Sequence, residues 1–308
     1  MKIKALIIGA GNIASLYDEP TDDKVLTHAH AIKQNDDFVL IGFVDVDLAK
    51  AKVAADTWGG KAYSSLEEVK ETVDLICIAV PDKYHYQTVK DAVNRHPTAI
   101  IIEKPLSLDF SEGRELVDLV DKRHILAEVN YSRRFITGFS YLKQKVSNMG
   151  LLLGGNVLYG KGLIHNGSHM VNLLLFLFGN MRVVSCLNAI EDYSPDDKSK
   201  EIVYEIDNAY VVFQPVDARI VTVFELDLRF SLGRVKYDGS TEILYLYGID
   251  ESPIYSGELN YTLKDQIKIS PSEAMANLYV HIRNMVFGNE EIVSSVDDAY
   301  KTLQLCKW

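Results

Sequence analysis

The chain has 308 residues, enough for two domains with separate cores. Its 47% hydrophobic and 24% charged residues are ordinary for a soluble globular protein, and a formal net charge of −11 disfavours nucleic acid, whose readers carry a basic face. Three scattered cysteines, Cys77, Cys186 and Cys306, are too few for a disulfide framework or a zinc site; no metal is expected, and a reduced, cytoplasmic setting fits.

The opening run Met1–Ile8 starts like a signal peptide but ends in glycines, so it reads as a strand over Ile3–Ile8. Further buried strands are expected at Phe38–Val44, Asp74–Val80, Ala99–Ile102 and Ile125–Val129. Apolar residues at helical spacing separate them over Leu48–Thr57, Lys83–Asn94 and Phe110–Lys122. Such alternation implies a parallel sheet covered on both faces, a doubly wound Rossmann domain spanning 1–122. Tyr17–Thr27 is polar and reads as a surface insertion. From 123 to 308 the pattern changes to an α+β domain built on an open, mixed, largely antiparallel sheet. Helices are expected at Gly138–Asn148 and Ser168–Phe178, then strands at Met181–Ala189, Ile202–Ile206, Ala209–Phe213, Arg219–Phe230 and Glu242–Leu246. The polar stretch Glu191–Glu201 reads as an exposed loop, and helices at Ser272–Phe287 and Val296–Cys306 close the chain. The longest apolar stretch, Val171–Phe178, is far shorter than a membrane span, so no membrane partner is expected.

Gly9-Ala10-Gly11-Asn12-Ile13-Ala14 follows the first strand and matches Gly-x-Gly-x-x-Ala, the dinucleotide fingerprint. Gly9 permits the tight turn, Gly11 lets the backbone approach a pyrophosphate, and Ala14 lets helix and strand pack closely. A helix N-terminus there offers amides to the phosphates. Asp45, at the tip of the second strand, is placed to accept hydrogen bonds from the adenosine ribose and to repel a 2′-phosphate. NAD is therefore expected over NADP. Asp47 reads as the cap of the following helix.

Pro81-Asp82-Lys83-Tyr84-His85, Glu103-Lys104-Pro105, Asn130–Phe135 and Gly167-Ser168-His169-Met170-Val171-Asn172, together with the fingerprint, resemble the Gfo/Idh/MocA oxidoreductases, the glucose–fructose oxidoreductase and inositol dehydrogenase family. The resemblance implies a nicotinamide cofactor, a sugar, cyclitol or nucleotide-sugar substrate, and Lys104 and His169 beside the nicotinamide. It also implies a homodimer or homotetramer formed through the C-terminal sheet. Pro81, His85 and Glu103 are expected near the cofactor. Tyr131, Arg134, Tyr159, Lys161, Asn166 and Asn172 are candidates for the substrate pocket.

The chemistry agrees with these residue types. Oxidising a secondary alcohol removes a hydride from carbon and a proton from oxygen. A partly neutral lysine can take that proton, and Lys104 sits at the carboxyl end of a parallel strand, where ligands of such sheets bind. His169 is suited to hydrogen-bond the hydroxyl or relay its proton. Many family members carry aspartates four residues before and three residues after the histidine. Here those places hold His165 and Asn172. An exchange of carboxylate for imidazole at 165 does not raise the pKa of a neighbouring lysine, but it removes the carboxylate that would orient the histidine. Asn166–His169 matches a pattern associated with surface-polysaccharide sugars. A redox-neutral enzyme that recycles bound NAD, for glycoside cleavage or epimerisation, is the alternative within catalysis. A cofactor-binding regulator without catalysis is the alternative outside it.

Overall fold

The computed structural model describes residues 2–307 and divides into two compact units, Met1–Phe135 with Pro271–Leu303 and Ile136–Ser270 with Gln304–Trp308. The first unit is therefore discontinuous, unlike a single cut at residue 122. The physical reason is packing of the last helices. Helix α7 (Ala274–Val286) places Leu278, Tyr279 and Ile282 in one apolar cluster of the Rossmann sheet, and Val296 and Ala299 of α8 (Val296–Cys306) join the other.

The first unit holds six parallel strands in the order β3-β2-β1-β4-β5-β6: β1 (Ile3–Ile8), β2 (Phe38–Val44), β3 (Lys61–Tyr63), β4 (Leu75–Ile78), β5 (Ala99–Ile102) and β6 (Leu126–Val129). β-Branched runs such as Ala-Ile-Ile-Ile favour the pleated conformation, and period-two alternation feeds both faces. Ile3, Ala5 and Ile7 enter one cluster with Cys77 and Ile101; Ile76, Ile78, Ile100 and Ile102 enter the other with Leu6 and Ile8. Each fully buried Ile contributes about 1.5–3 kcal/mol.

The expected helices form as α2 (Leu48–Trp58), α3 (His85–Val93) and α4 (Phe110–Arg123). Asp47 and Asp109 cap α2 and α4 by accepting backbone N–H bonds. A short helix, α1 (His28–Gln34), was not legible as a separate element. Glu128 of β6 accepts from Val293 N and Ser294 N at 2.6 Å each and from His281 Nε2 at 2.9 Å, which fastens the returning chain to the sheet.

The second unit is an eight-stranded mixed sheet in the order β14-β13-β12-β11-β7-β10-β9-β8, antiparallel except for the β7–β10 pair. Its strands are β7 (Leu152–Tyr159), β8 (Arg182–Ser194), β9 (Asp197–Ile206), β10 (Ala209–Pro215), β11 (Phe224–Phe230), β12 (Gly233–Asp238), β13 (Ile243–Glu251) and β14 (Leu259–Lys268). Helices α5 (Thr137–Val146) and α6 (Ser168–Phe178) set Phe139 on Tyr237 and Phe178 on Phe230. Among the described residues no helix is long and apolar enough to cross a membrane.

Two loop expectations are corrected. Glu191–Glu201 is a hairpin of β8 and β9 around Pro195, with Asp192 and Ser199 buried. Its polar side chains bond one another and neighbouring backbone, which the composition alone does not reveal. Tyr17–Thr27 is only partly a surface insertion. Asp18 is buried, and its carboxylate accepts from Leu26 N at 2.5 Å and from Thr27 Oγ1 at 2.5 Å, with His30 Nδ1 at 2.8 Å.

Candidate active site

The strand order of the first unit reverses between β1 and β4, so a crevice opens outside their carboxyl ends. The ladder continues one residue past each strand. Ala79 N donates to Ile8 O, Glu103 N to Ile78 O and Asn130 N to Ile102 O, at 2.8–2.9 Å. Gly9, Asp45, Pro81, Glu103, Lys104 and Asn130 thus stand along one edge of one sheet.

Gly9 has φ +99°, and a Cβ there would lie 2.4 Å from Ala79 O, so glycine is required. A Cβ on Gly11 would meet nothing within 4 Å. That open space is the approach a pyrophosphate needs, so these residues fit a dinucleotide. Asn12 is exposed, Ile13 is half-buried against one apolar cluster of the sheet, and Ala14 is fully buried. One departure from expectation is local. The fingerprint opens only a five-residue π-helical turn, Asn12–Leu16, and helical structure resumes at His28, because the Tyr17–Thr27 segment intervenes. The same segment accounts for the long interval from Gly11 to Asp45.

Asp45 is half-buried; it accepts from Ala10 N and from Asp47 N, each at 2.9 Å. The carboxylate thereby ties the fingerprint turn to the end of β2. His85 is buried and bridges two carbonyls, with Nδ1 2.6 Å from Pro105 O and Nε2 2.9 Å from Val80 O. It joins the turn after β4, where Pro81 is exposed, to the Lys104–Pro105 turn.

Lys104 is half-buried, beside a carboxylate embedded in a polar chain. Glu103 Oε1 takes Asn130 Nδ2 at 2.6 Å and His28 Nε2 at 3.0 Å, while His28 Nδ1 lies 3.1 Å from Tyr279 Oη. Burial raises the Glu103 carboxyl, but His28, Asn130 and Lys104 outweigh it and hold the group below the usual carboxylate range. Burial likewise disfavours charge on His28, yet Cys77 and Glu103 outweigh it and push the imidazole up to about 10. His28 and Tyr279 were absent from the expected site. The only sequence signal was Thr27 as a cap before α1.

In the second unit His169 lies in the first turn of α6, half-buried, and Asn172 is buried one turn on. The preceding π-helical turn Gly162–Gly167 carries His165 and Asn166. The β8–β9 hairpin clamps this turn. Asp197 accepts from Ile164 N at 2.9 Å and His165 N at 2.8 Å; Asp192 accepts from Lys161 N at 2.8 Å. The His165 ring stacks on Tyr193, 4.3 Å between centroids and 12° between planes. Asn166 Nδ2 donates to Gly160 O at 2.9 Å.

Three further pocket candidates, Tyr131, Arg134 and Tyr159, are buried. Tyr131 is buried in the apolar cluster that contains Val129 and Leu106. Arg134 is buried, ion-paired with Asp298 at 2.7 Å and bonded to Val293 O at 2.6 Å. Tyr159 is fully buried, its hydroxyl donating to Lys200 O at 2.7 Å. Burial pushes the Tyr159 phenol well above its usual range. Among the described residues no group of three or more His, Cys, Asp or Glu is arranged to hold a metal.

A family model described as "Oxidoreductase family, NAD-binding Rossmann fold" matches residues 3–131. The chain is 25% identical over 152 residues to the glucose-6-phosphate 3-dehydrogenase of Bacillus subtilis, covering 49% of this chain and 39% of that protein. It is 26% identical over 145 residues to the myo-inositol 2-dehydrogenase of Thermotoga maritima, covering 46% and 40%. The matched stretch is thus about two fifths of each curated relative's length. The solved UDP-N-acetylglucosamine 3-dehydrogenase of Acidithiobacillus ferrooxidans shares the fold with a TM-score of 0.77 at 16% identity, covering 99% of this chain and 96% of that one. Residues 3–131, which carry the fingerprint, Asp45 and the Glu103-Lys104-Pro105 turn, are thus similar to the NAD-binding Rossmann domain of the Gfo/Idh/MocA oxidoreductases.

Proposed function

We propose that the protein is an NAD-dependent dehydrogenase that interconverts a secondary ring hydroxyl and its ketone on a sugar, cyclitol or nucleotide sugar. The observation that carries this reading is the alignment of Gly9–Ala14, Asp45, Pro81 and Lys104 on the carboxyl edge of one parallel sheet. The three similar proteins named above support the substrate class, since each name specifies one position of a glucose or inositol ring.

Gly9, Gly11, Asn12 and Ile13 would form the turn that holds the pyrophosphate, with Ala14 packed beneath it, and Asp45 would take the adenosine ribose. Pro81, His85 and Glu103 shape the wall beside the nicotinamide. Bound NAD supplies a hydride acceptor. Lys104 takes the hydroxyl proton as the alcohol becomes a ketone, and in reverse its ammonium stabilises the developing alkoxide. His169, in the second unit, is suited to hydrogen-bond a substrate hydroxyl or relay its proton. Asp197 accepts the His165 backbone amide and Tyr193 stacks on its ring, which fixes the imidazole that stands where many relatives carry an aspartate. Lys161, Asn166 and Asn172 remain the substrate-side candidates. Action on surface-polysaccharide sugars in the cytoplasm belongs to the same proposal.

Steady-state assays with NAD and a panel of sugars, cyclitols and nucleotide sugars are expected to produce NADH with at least one class. Lys104→Ala is expected to lower kcat by about 10²–10⁴-fold with NAD affinity retained. Unchanged turnover of a verified substrate overturns the assignment of Lys104. Turnover with no net NADH points instead to a redox-neutral cycle. Assembly as a homodimer or homotetramer through the mixed sheet is also proposed, supported by Leu153 and Leu187, each 60% exposed, and by exposed Tyr210. Sedimentation at micromolar concentration is expected to show no monomer, and a purely monomeric species refutes the assembly.

A further inference from the structure

A base at Lys104 has to shed its own proton first, and the neighbouring Glu103 carboxylate opposes this. An anion beside a lysine favours the ammonium form. Of the two groups bonded to Glu103 Oε1, Asn130 is a neutral amide and His28 alone carries a titratable charge. The His28 ring is fully buried, so its charge is felt with little screening from water. With Glu103 on Nε2 and the Tyr279 hydroxyl on Nδ1, both ring nitrogens face oxygen atoms, an arrangement that suits a doubly protonated ring.

Every element packed against this chain contributes a group: His28 from α1, Cys77 from β4, Glu103 and Lys104 after β5, Asn130 after β6, and Tyr279 from α7. His85, at the start of α3, approaches from the Pro105 side. Burial, Cys77 and Glu103 hold the Tyr279 phenol well above its usual range, so it stays protonated and neutral. Beside Lys104 stand the Glu103 carboxylate and the His28 ring that faces it.

Resting on the assignment of Lys104 as the base, we propose that His28 is a positioning residue acting through Glu103, its imidazolium cancelling the carboxylate so that Lys104 can stand neutral and accept the substrate proton. His28 touches neither substrate nor cofactor in this scheme. A merely structural His28 would change stability and leave the protonation of Lys104 where it was.

Competitive acylation of the full-length protein with a small anhydride across pH, read by mass spectrometry of the Lys104 peptide, gives the midpoint at which that lysine becomes neutral. No turnover is needed. In His28→Gln the uncompensated carboxylate is expected to move the midpoint up by about one pH unit or more. The double variant His28→Gln/Glu103→Gln, neutral at both places, is expected to return it to the wild-type value. An unmoved midpoint in the single variant, or one still raised in the double variant, overturns the proposal. Should His28→Gln fail to fold, nitrogen NMR of the unmodified protein decides. Both His28 ring nitrogens are expected to be protonated at neutral pH, and a neutral tautomer overturns the proposal. The acid limb of the kcat/KM profile is expected to follow the acylation midpoint. A midpoint that moves without that limb upholds the role of His28 and overturns Lys104 as the base, so the two failures are distinguishable.

Discussion

Asp45 has two tasks at one carboxylate. It accepts from Ala10 N and Asp47 N, and so fixes the fingerprint turn against β2. In the proposed function the same charge faces the ribose and repels a 2′-phosphate. Two like charges about 4 Å apart cost about 1–4 kcal/mol across the usual range of surface screening. Asp45→Ser is therefore expected to raise the affinity for NADP relative to NAD by about tenfold or more, measured as a ratio of dissociation constants. An unchanged ratio excludes Asp45 from cofactor choice. The places of Asp45 and Lys104 just past strand ends were legible from the strand pattern, while the choice of Lys104 came from the Glu103-Lys104-Pro105 resemblance. His28 was not legible, since its partner Glu103 is 75 positions away. The surroundings of Arg134 and Tyr159 were not legible either. Their polar tips suit a pocket, and only packing reveals that these tips bond backbone carbonyls and, for Arg134, an ion-pair partner.

Among elements, the β8–β9 hairpin shows how composition conceals structure. Its tip is rich in Asp, Lys and Ser, which reads as a solvated loop. The pairing Ser194↔Asp197 and Ile190↔Ser199 makes it a ladder, and two of its carboxylates supply acceptors for the turn that carries His165. Pro195-Asp196 between β-rich runs was the available sign of a turn. Asp197→Ala leaves the Ile164 and His165 amides without that acceptor. The expected cost is about 1–3 kcal/mol for each amide left buried, seen as a lower denaturant midpoint, together with a raised KM for substrate. A stability loss with KM unchanged detaches the turn from substrate binding. The Tyr17–Thr27 segment is the second instructive element. Sequence spacing showed that something was inserted after the fingerprint, but not that Asp18 would anchor it internally through Thr27 and His30.

At the scale of the whole molecule, the parallel sheet and the mixed sheet were both legible, because unbroken apolar runs and long consecutive strands announce them. The return of residues 271–303 to the first unit was not. Amphipathic spacing says that α7 and α8 bury a face, and says nothing about which sheet receives it. That receipt involves Leu278, Tyr279 and Ile282 in the core, Arg134 with Asp298, and His281 between Glu128 and Glu290.

The discontinuity sets a timetable for synthesis. At ordinary ribosomal rates, on the order of 10–30 s separates the appearance of Phe135 from that of Leu303. Throughout that interval the sheet face around Ala5, Ile7 and Cys77 waits for the helix that completes it. The nascent chain carries bare apolar surface, a substrate for chaperones, while the other unit is translated. Tyr279, the far end of the chain that reaches Glu103, emerges late in the same interval. An unfinished polypeptide therefore holds the glycine turn and the lysine without the surroundings that tune them.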